Sequence, residues 1–165
     1  MSSHTDALGM DALRSAFLFT LWVRVGRGWE IQRPQAGERL SIWAFEGGHF
    51  EGPRLRGEVL PVGGDWASVR SDRLVHINVA GVMRAVDQAL ISFRYEGLWA
   101  TSPGVLGRVV APGGHALFSP DENYLRVTAK FETDAPRYAW LNEIIAIGVG
   151  RRVEDGVMYT FHEVL

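Results

Sequence analysis

The chain has 165 residues, which is the size of one ordinary domain. Its formal net charge is −2, so it has no excess of Lys and Arg for binding a nucleic acid, and no nucleic-acid partner is expected. It contains no cysteine, which excludes disulfides, thiolate nucleophiles and cysteine-ligated metals and favours a cytoplasmic protein.

The start of the chain predicts a short tail before a single domain. Residues 1–12 include a polar stretch of small side chains and are expected to be a flexible tail, followed by one domain over residues 13–165. The longest apolar run, residues 16–25, is interrupted by Thr20 and Arg24. Neither a signal peptide nor a membrane-spanning segment is expected, and no membrane partner.

Short apolar runs with a period of two, separated by Gly and Pro, predict strands rather than helices. The predicted strands cover residues 17–25, 40–50, 57–62, 74–80, 89–99, 124–133, 144–152 and 157–164. The last two flank Asp155-Gly156, a strong hairpin signal. About eight antiparallel strands are enough to close a barrel whose interior holds packed side chains or one small ligand. The sequence therefore predicts an all-β protein with a single antiparallel β-barrel.

The segment between the fifth and sixth predicted strands, residues 101–123, is rich in Gly and Pro and predicts a long loop. Loops of this length in compact domains often cover a site, so one interpretation is a lid over one mouth of the barrel. The other interpretation is a disordered insertion.

The strand at 124–133 has two chemically different faces. One face carries Arg126, Thr128 and Glu132, and the other is apolar. In an ordinary antiparallel sheet the polar face contacts water. The alternative is that these polar side chains line a patch inside the barrel.

The run Gly63-Gly64-Asp65-Trp66 also has two interpretations. Two glycines permit positive φ angles, so Asp65 can cap a turn and Trp66 can close one end of the core. Alternatively the run lies at the barrel mouth, where Asp65 is a base or hydrogen-bond acceptor and Trp66 an apolar wall.

Further candidates are side chains that carry polar groups at alternating positions. Tyr138, Trp140 and Asn142 point to one side if their segment is extended, and would then orient an oxygenated ligand, although Trp140 also fits a packed core. His76 and Asn78 share a strand face and could meet Glu46 or Glu132 inside a barrel. The five histidines are not spaced as metal ligands, and nucleophile-elbow, phosphate-loop and dinucleotide fingerprints are missing, so neither a metal nor a cofactor is expected.

Two motifs point to a family. The run G-x-V-L-P-x-G-G-D-W at residues 57–66 and the run F-E-T-x-x-x-x-Y-A-W-L-N at residues 131–142 resemble the DUF3237 (UPF0311) family, whose function is unknown. The resemblance implies a lipocalin-like or allene-oxide-cyclase-like barrel. It also draws attention to Arg126, Thr128 and Glu132, because the strand that carries them resembles the family's Y-F-R-T-x-P-x-F-E-T segment.

The sequence departs from the family where L-D-A-R-Y is usual. Here Asn78, Ala80 and Gly81 replace an aspartate, an arginine and a tyrosine, which predicts a larger and more neutral ligand than in related proteins.

The leading hypothesis is a cofactor-free enzyme that moves a proton in a small hydrophobic oxygenated molecule, by cyclisation, isomerisation, hydration or elimination. Its candidate acid and base are Glu132 and Asp65, and Arg126 and Tyr138 would stabilise an oxyanion. The substrate-binding candidates are Trp66, Trp140, Asn142, His76, Asn78, Thr128 and Glu46. The alternative is a lipocalin-like carrier without chemistry, and a third hypothesis is a structural subunit with a filled interior. Six Trp and eight Phe are also compatible with a homo-oligomer.

Overall fold

The computed structural model describes residues 12–35, 37–71, 73–111, 113–114 and 122–165, so most of the expected N-terminal tail lies outside the described residues. Eight strands pair in chain order, each antiparallel to the next, and β8 returns to β1 to close the barrel. The strands are β1 Ser15–Arg33, β2 Glu38–Glu51, β3 Arg56–Ser71, β4 Leu74–Ala85, β5 Leu90–Ala100, β6 Tyr124–Glu132, β7 Ala146–Val153 and β8 Gly156–Val164. The predicted eight-stranded antiparallel barrel is confirmed. Among the described helices, none is long and apolar enough to cross a membrane.

The third strand is much longer than the predicted segment 57–62, because the chain passes through Gly63 and Gly64 without turning back. The pairing of β3 with β4 shifts register between Val59 and Gly63. Gly63 has φ +99°, a conformation that glycine adopts without strain and that a bulge can require. The turn predicted here is therefore wrong, and Asp65 lies within the ladder, opposite Trp43 and Val79.

An aromatic cluster fills the half of the barrel in which β1 begins, which is the lower half in this description. Phe19 is completely buried and its ring lies 5.8 Å from the ring of Phe50, 5.8 Å from Phe131 and 5.4 Å from Phe161. Edge-on and tilted contacts of this kind stabilise a core beyond the area that they bury. Side chains thus fill the lower half of the barrel interior, and a ligand cavity is expected in the upper half.

Two short helices occupy the ends of the barrel. A 3₁₀ helix, Pro136–Glu143, packs at the lower end, where its buried residues are Tyr138 and Leu141. The helix α1, Val105–Val110, lies at the upper end, where Leu106 is buried beside the barrel mouth. The segment predicted as a long loop therefore contains a helix over this mouth. Its movement as a lid stays a prediction, and residues 112 and 115–121 of this segment lie outside the described residues.

Candidate functional site

A cavity of about 120 Å³ lies in the upper half of the barrel, below α1. Its wall is mostly apolar and includes Val23, Val69, Val75, Val79, Leu125 and Val157. An engineered apolar cavity of about 150 Å³ is enough to bind benzene. This cavity is slightly smaller but partly open, so it suits a molecule of at most about one ring.

Asp65 and Glu30 are the carboxylates of the described residues that line this cavity, and Glu30 is paired with Arg39. Because Ala67 and Val69 on the same strand face inward, the alternation of β3 also points Asp65 inward. Its Oδ1 accepts a hydrogen bond of 3.0 Å from the backbone N–H of Asn78, and no described Arg or Lys forms an ion pair with it. Burial raises the pKa of Asp65 from 3.8 to about 6, and the Asn78 hydrogen bond limits the rise. Asp65 can thus gain or lose a proton near neutral pH.

Two tyrosines meet beside Asp65. The rings of Tyr95 and Tyr159 lie 5.0 Å apart and their hydroxyl groups form a hydrogen bond. Burial, with the nearby Asp65 charge, raises the pKa of both phenols, so both remain protonated donors at neutral pH. Gly150 provides room for this pair, because a Cβ there would come within 2.5 Å of the Tyr159 ring.

Several polar residues near the upper mouth complete the lining. Arg39, Ser41 and Trp43 come from β2, and Arg152 comes from β7. Arg39 Nε lies 3.3 Å from Glu30 Oε1. These arginines and the two tyrosines were missed by the sequence analysis. A signal existed for Arg152, since the alternation of Gly148-Val149-Gly150-Arg151-Arg152 places it on the same face as the two small buried glycines.

The polar face of β6 points away from the barrel interior. Leu125, Val127, Ala129 and Phe131 are the buried residues of this strand. Arg126 instead donates a hydrogen bond of 3.0 Å to the Leu125 carbonyl and lies 4.8 Å from the Tyr124 ring. The hypothesis that Arg126, Thr128 and Glu132 line an inner patch is therefore wrong, because strand alternation places their apolar neighbours inside.

The other outer residues follow the same rule. Trp66 is 42% exposed, although the preceding Asp65 faces the cavity. His76, Asn78 and Glu46 also lie on the outer face, and Asn78 reaches the site only through its backbone N–H.

Two open depressions mark this outer surface. Trp66, His76 and Asn78 border one of about 720 Å³, and Thr128 and Glu132 border another of about 310 Å³. The structure thus brings most of the outer candidates together, but outside the barrel and away from Asp65.

The departure at residues 77–81 does not enlarge the cavity. Asn78 and Ala80 alternate with the inward residues Ile77, Val79 and Gly81, so their side chains point outward. A Cβ on Gly81 would lie 2.5 Å from Phe93, which already occupies the space. The expectation of a larger, more neutral ligand based on these substitutions is therefore not supported.

The Y-A-W-L-N segment forms the lower closure of the barrel and not a pocket. It begins after Pro136 as a 3₁₀ helix, so the alternation assumed for an extended chain does not apply. Tyr138 donates a hydrogen bond to Asp87. The Trp140 ring packs against the Arg54 guanidinium, whose Cζ atom lies 3.3 Å from the ring centroid. Neither residue lines the cavity.

Asn142 ties this helix to the end of β6. Its Oδ1 accepts a hydrogen bond of 2.8 Å from the Thr133 N–H, and its Nδ2 donates one of 2.9 Å to the Thr133 carbonyl. We expect Asn142→Ala to lower the free energy of unfolding by about 1–2 kcal/mol, because two hydrogen bonds are lost. Urea unfolding would measure this change. As a control, Glu143→Ala, at the exposed neighbouring position, should change the free energy of unfolding by less than about 0.5 kcal/mol. A change in ligand binding without a loss of stability would contradict this structural role.

The described residues contain no group of three or more His, Cys, Asp or Glu side chains arranged to hold a metal ion.

The comparisons with known proteins agree with this architecture. A UPF0311 protein from Rhodopseudomonas palustris is 28% identical over 153 residues, which are 93% of this chain and 97% of the relative. The solved structure of that conserved protein of unknown function has a TM-score of 0.84 at 24% identity, covering 94% of this chain and 99% of the other. A β-barrel-like protein from Acinetobacter baumannii has a TM-score of 0.80 at 27% identity, with 96% and 99% covered.

A more distant structure is an enzyme from Penicillium herquei, with a TM-score of 0.69 at 17% identity over 96% of this chain and 100% of the other, which shows a shared fold. The family model for DUF3237, described as a protein of unknown function, matches residues 13–164. The family suggested by the two sequence motifs is thus confirmed, and the chain belongs to the DUF3237 family of β-barrel proteins.

Proposed function

We propose that this protein is a cofactor-free enzyme that transfers a proton within a small, hydrophobic, oxygenated molecule bound in the upper cavity. The observation that carries the proposal is the position of Asp65, a carboxylate with a pKa of about 6 in an apolar cavity beside two protonated tyrosines. A general base works best when its pKa is close to the working pH.

The residues have complementary roles in such a reaction. Asp65 removes a proton from a carbon next to a carbonyl group, so the C–H electron pair forms a carbon–carbon double bond and the carbonyl π pair moves to the oxygen. The Tyr95 and Tyr159 pair supplies a hydroxyl hydrogen bond to that oxygen as negative charge develops on it. Return of the proton from Asp65 to another carbon gives an isomer. In an elimination the carbonyl re-forms, the next carbon loses a group with its bonding electron pair, and the proton on Asp65 passes to that group.

The structural neighbour from Penicillium herquei adds limited support, because it is described as an enzyme and has the same fold. Fold similarity alone is weak evidence for function. The proposal therefore depends on the cavity residues of this chain.

One observation favours the alternative, a carrier that binds without chemistry. The wall of the cavity is mostly apolar, as in barrels that hold one small ligand. A carrier needs the cavity but not a titrating Asp65.

Solvent-deuterium exchange distinguishes the two. The protein would be incubated in D₂O with one-ring ketones and keto acids, and proton NMR would follow the hydrogens next to the carbonyl group. An enzyme that uses Asp65 as a base catalyses exchange in at least one bound compound. Binding of several compounds without exchange above the buffer rate would favour the carrier and contradict the enzyme.

The exchange rate should also depend on pH in a defined direction. The active form of a general base is deprotonated, and burial raises the pKa of Asp65 to about 6. We therefore expect kcat/KM to rise about tenfold per pH unit below pH 6 and to level off above it. Rates measured between pH 5 and pH 8 would show this, and a rate that falls as pH rises through 6 would assign Asp65 as an acid instead.

A further inference from the structure

Two arginine side chains enter the upper part of the cavity, one from β2 and one from β7. The Nε atoms of Arg39 and Arg152 are buried, and neither has a hydrogen-bond partner among the described residues. A buried N–H group without a hydrogen-bond partner destabilises a fold. This cost is expected where the cation binds a ligand.

The two arginines are not equivalent. The Nε atom of Arg39 lies 3.3 Å from Oε1 of Glu30, and the Arg39 side chain is 43% exposed. Arg152 forms no ion pair with a described residue, and burial lowers the pKa of its guanidinium. Since an arginine nevertheless stays charged at neutral pH, Arg152 is the stronger candidate for an anion.

The position of Arg39 along β2 separates it from Asp65. Arg39 lies four residues before Trp43 on β2, and Trp43 pairs with Asp65. Four residues of strand span about 13 Å, and a long arginine side chain can reach back over part of that distance. Arg39 thus lies nearer the mouth than Asp65, whereas Arg152 lies close enough to Tyr159 for the two groups to interact electrostatically.

We propose that the substrate of this site is a one-ring carboxylate whose carboxylate group is bound by Arg152, assisted by Arg39, while its oxygenated carbon faces Asp65; the part concerning Asp65 rests on the proposed function. A planar guanidinium can donate two parallel hydrogen bonds to a carboxylate, which fixes the orientation of the ring as well as its charge. The apolar valines of the wall then contact the ring.

Matched probes test this assignment. Benzoate and benzamide have nearly the same shape and differ in charge, and NMR titration near pH 7 would give both dissociation constants. We expect the wild type to bind benzoate at least about tenfold more tightly than benzamide, a difference of about 1.4 kcal/mol. Arg152→Gln should remove this preference and Arg152→Lys should keep part of it. Arg151→Gln is the control, because Arg151 is exposed on the outer face and contacts Met158.

Equal binding of the two probes by the wild type, no binding of either, or a preference that survives in Arg152→Gln would overturn the assignment. Arg152 is half-buried and forms no ion pair with a described residue, so Arg152→Gln is expected to remain folded with little change in the thermal midpoint. Benzoate has no hydrogen on a carbon next to its carboxylate, so its binding is independent of turnover. Exchange of neutral ketones without a preference for benzoate would leave the enzyme proposal intact and reject only the carboxylate site.

Discussion

Asp65→Asn is expected to lower the rate of deuterium exchange by about 10²- to 10⁴-fold, the usual contribution of a positioned general base. The asparagine side chain has the same shape and its Oδ1 can still accept the Asn78 N–H, but it cannot take a proton. Binding of a ketone substrate should change by less than about tenfold, since the apolar wall is unaltered. Single-turnover NMR with a saturating compound would separate the rate from the affinity.

Two control variants make this result specific. Glu132→Gln should keep the wild-type exchange rate, because Glu132 lies on the outer face of β6. Asp134→Asn makes the same chemical change at an exposed position and should also have no effect. If Glu132→Gln abolished exchange and Asp65→Asn did not, the assignment of the cavity as the active site would be wrong.

Stability gives a second measurement on the same variant. The pKa of Asp65 is about 6 in the folded state and 3.8 is its ordinary value, so between these values the folded state binds more protons than the unfolded state. The free energy of unfolding therefore falls as pH rises from about 4 to about 6, by up to about 3 kcal/mol in total. Asn cannot ionise and avoids this loss. Asp65→Asn should thus be at least as stable as the wild type at pH 7, which excludes unfolding as the reason for lost activity.

The fold was predictable because period-two alternation survives along most strands. In β5, for example, Ile91, Phe93 and Tyr95 are buried between polar or small residues, as the pattern indicates. The length of β3 was not predictable in this way. Pro61 and the two glycines look like a turn, and only pairing with the neighbouring strands shows that the chain continues through a bulge.

The candidate site was harder to predict, because its residues are hidden in apolar or featureless patterns. Tyr95 and Tyr159 occupy core positions, so their hydroxyl groups give no signal in a hydrophobic alternation. Arg152 follows two inward glycines that carry no hydrophobic side chain, and its orientation is therefore easy to miss. Asp65 was identified from a motif, but its raised pKa results from burial that only the closed barrel provides.

The motif residues that drew most attention have largely structural roles, and for a physical reason. A barrel with a solid lower half needs a well-packed closure at that end. The segment that provides it combines the buried Tyr138 and Leu141 with the Asn142 hydrogen bonds to Thr133. Fixed residue types in such a segment follow from packing and hydrogen bonding and do not require contact with a ligand.

Phe19→Ala is expected to have the largest effect on stability, a loss of about 3–5 kcal/mol in the free energy of unfolding. Phe19 is fully buried and contacts three other rings, so truncation leaves a void that these rings cannot fill without losing their own contacts. The thermal midpoint should fall on the order of 10 °C in a domain of this size.

Phe17→Ala is the matched control for this substitution. Phe17 is 45% exposed, and its one ring contact among the described residues is with His162, at 6.0 Å between centroids. Its cost should stay below about 1 kcal/mol, and equal losses in the two variants would contradict the solid lower half. Phe161 remains between the Phe19 site and the two tyrosines, with ring centroids 5.7 Å from each tyrosine. Well below its midpoint, Phe19→Ala should therefore exchange deuterium within about tenfold of the wild-type rate. Stability and chemistry would then be assigned to different halves of one barrel, because the rings below Phe161 support the fold and Asp65 above it transfers the proton.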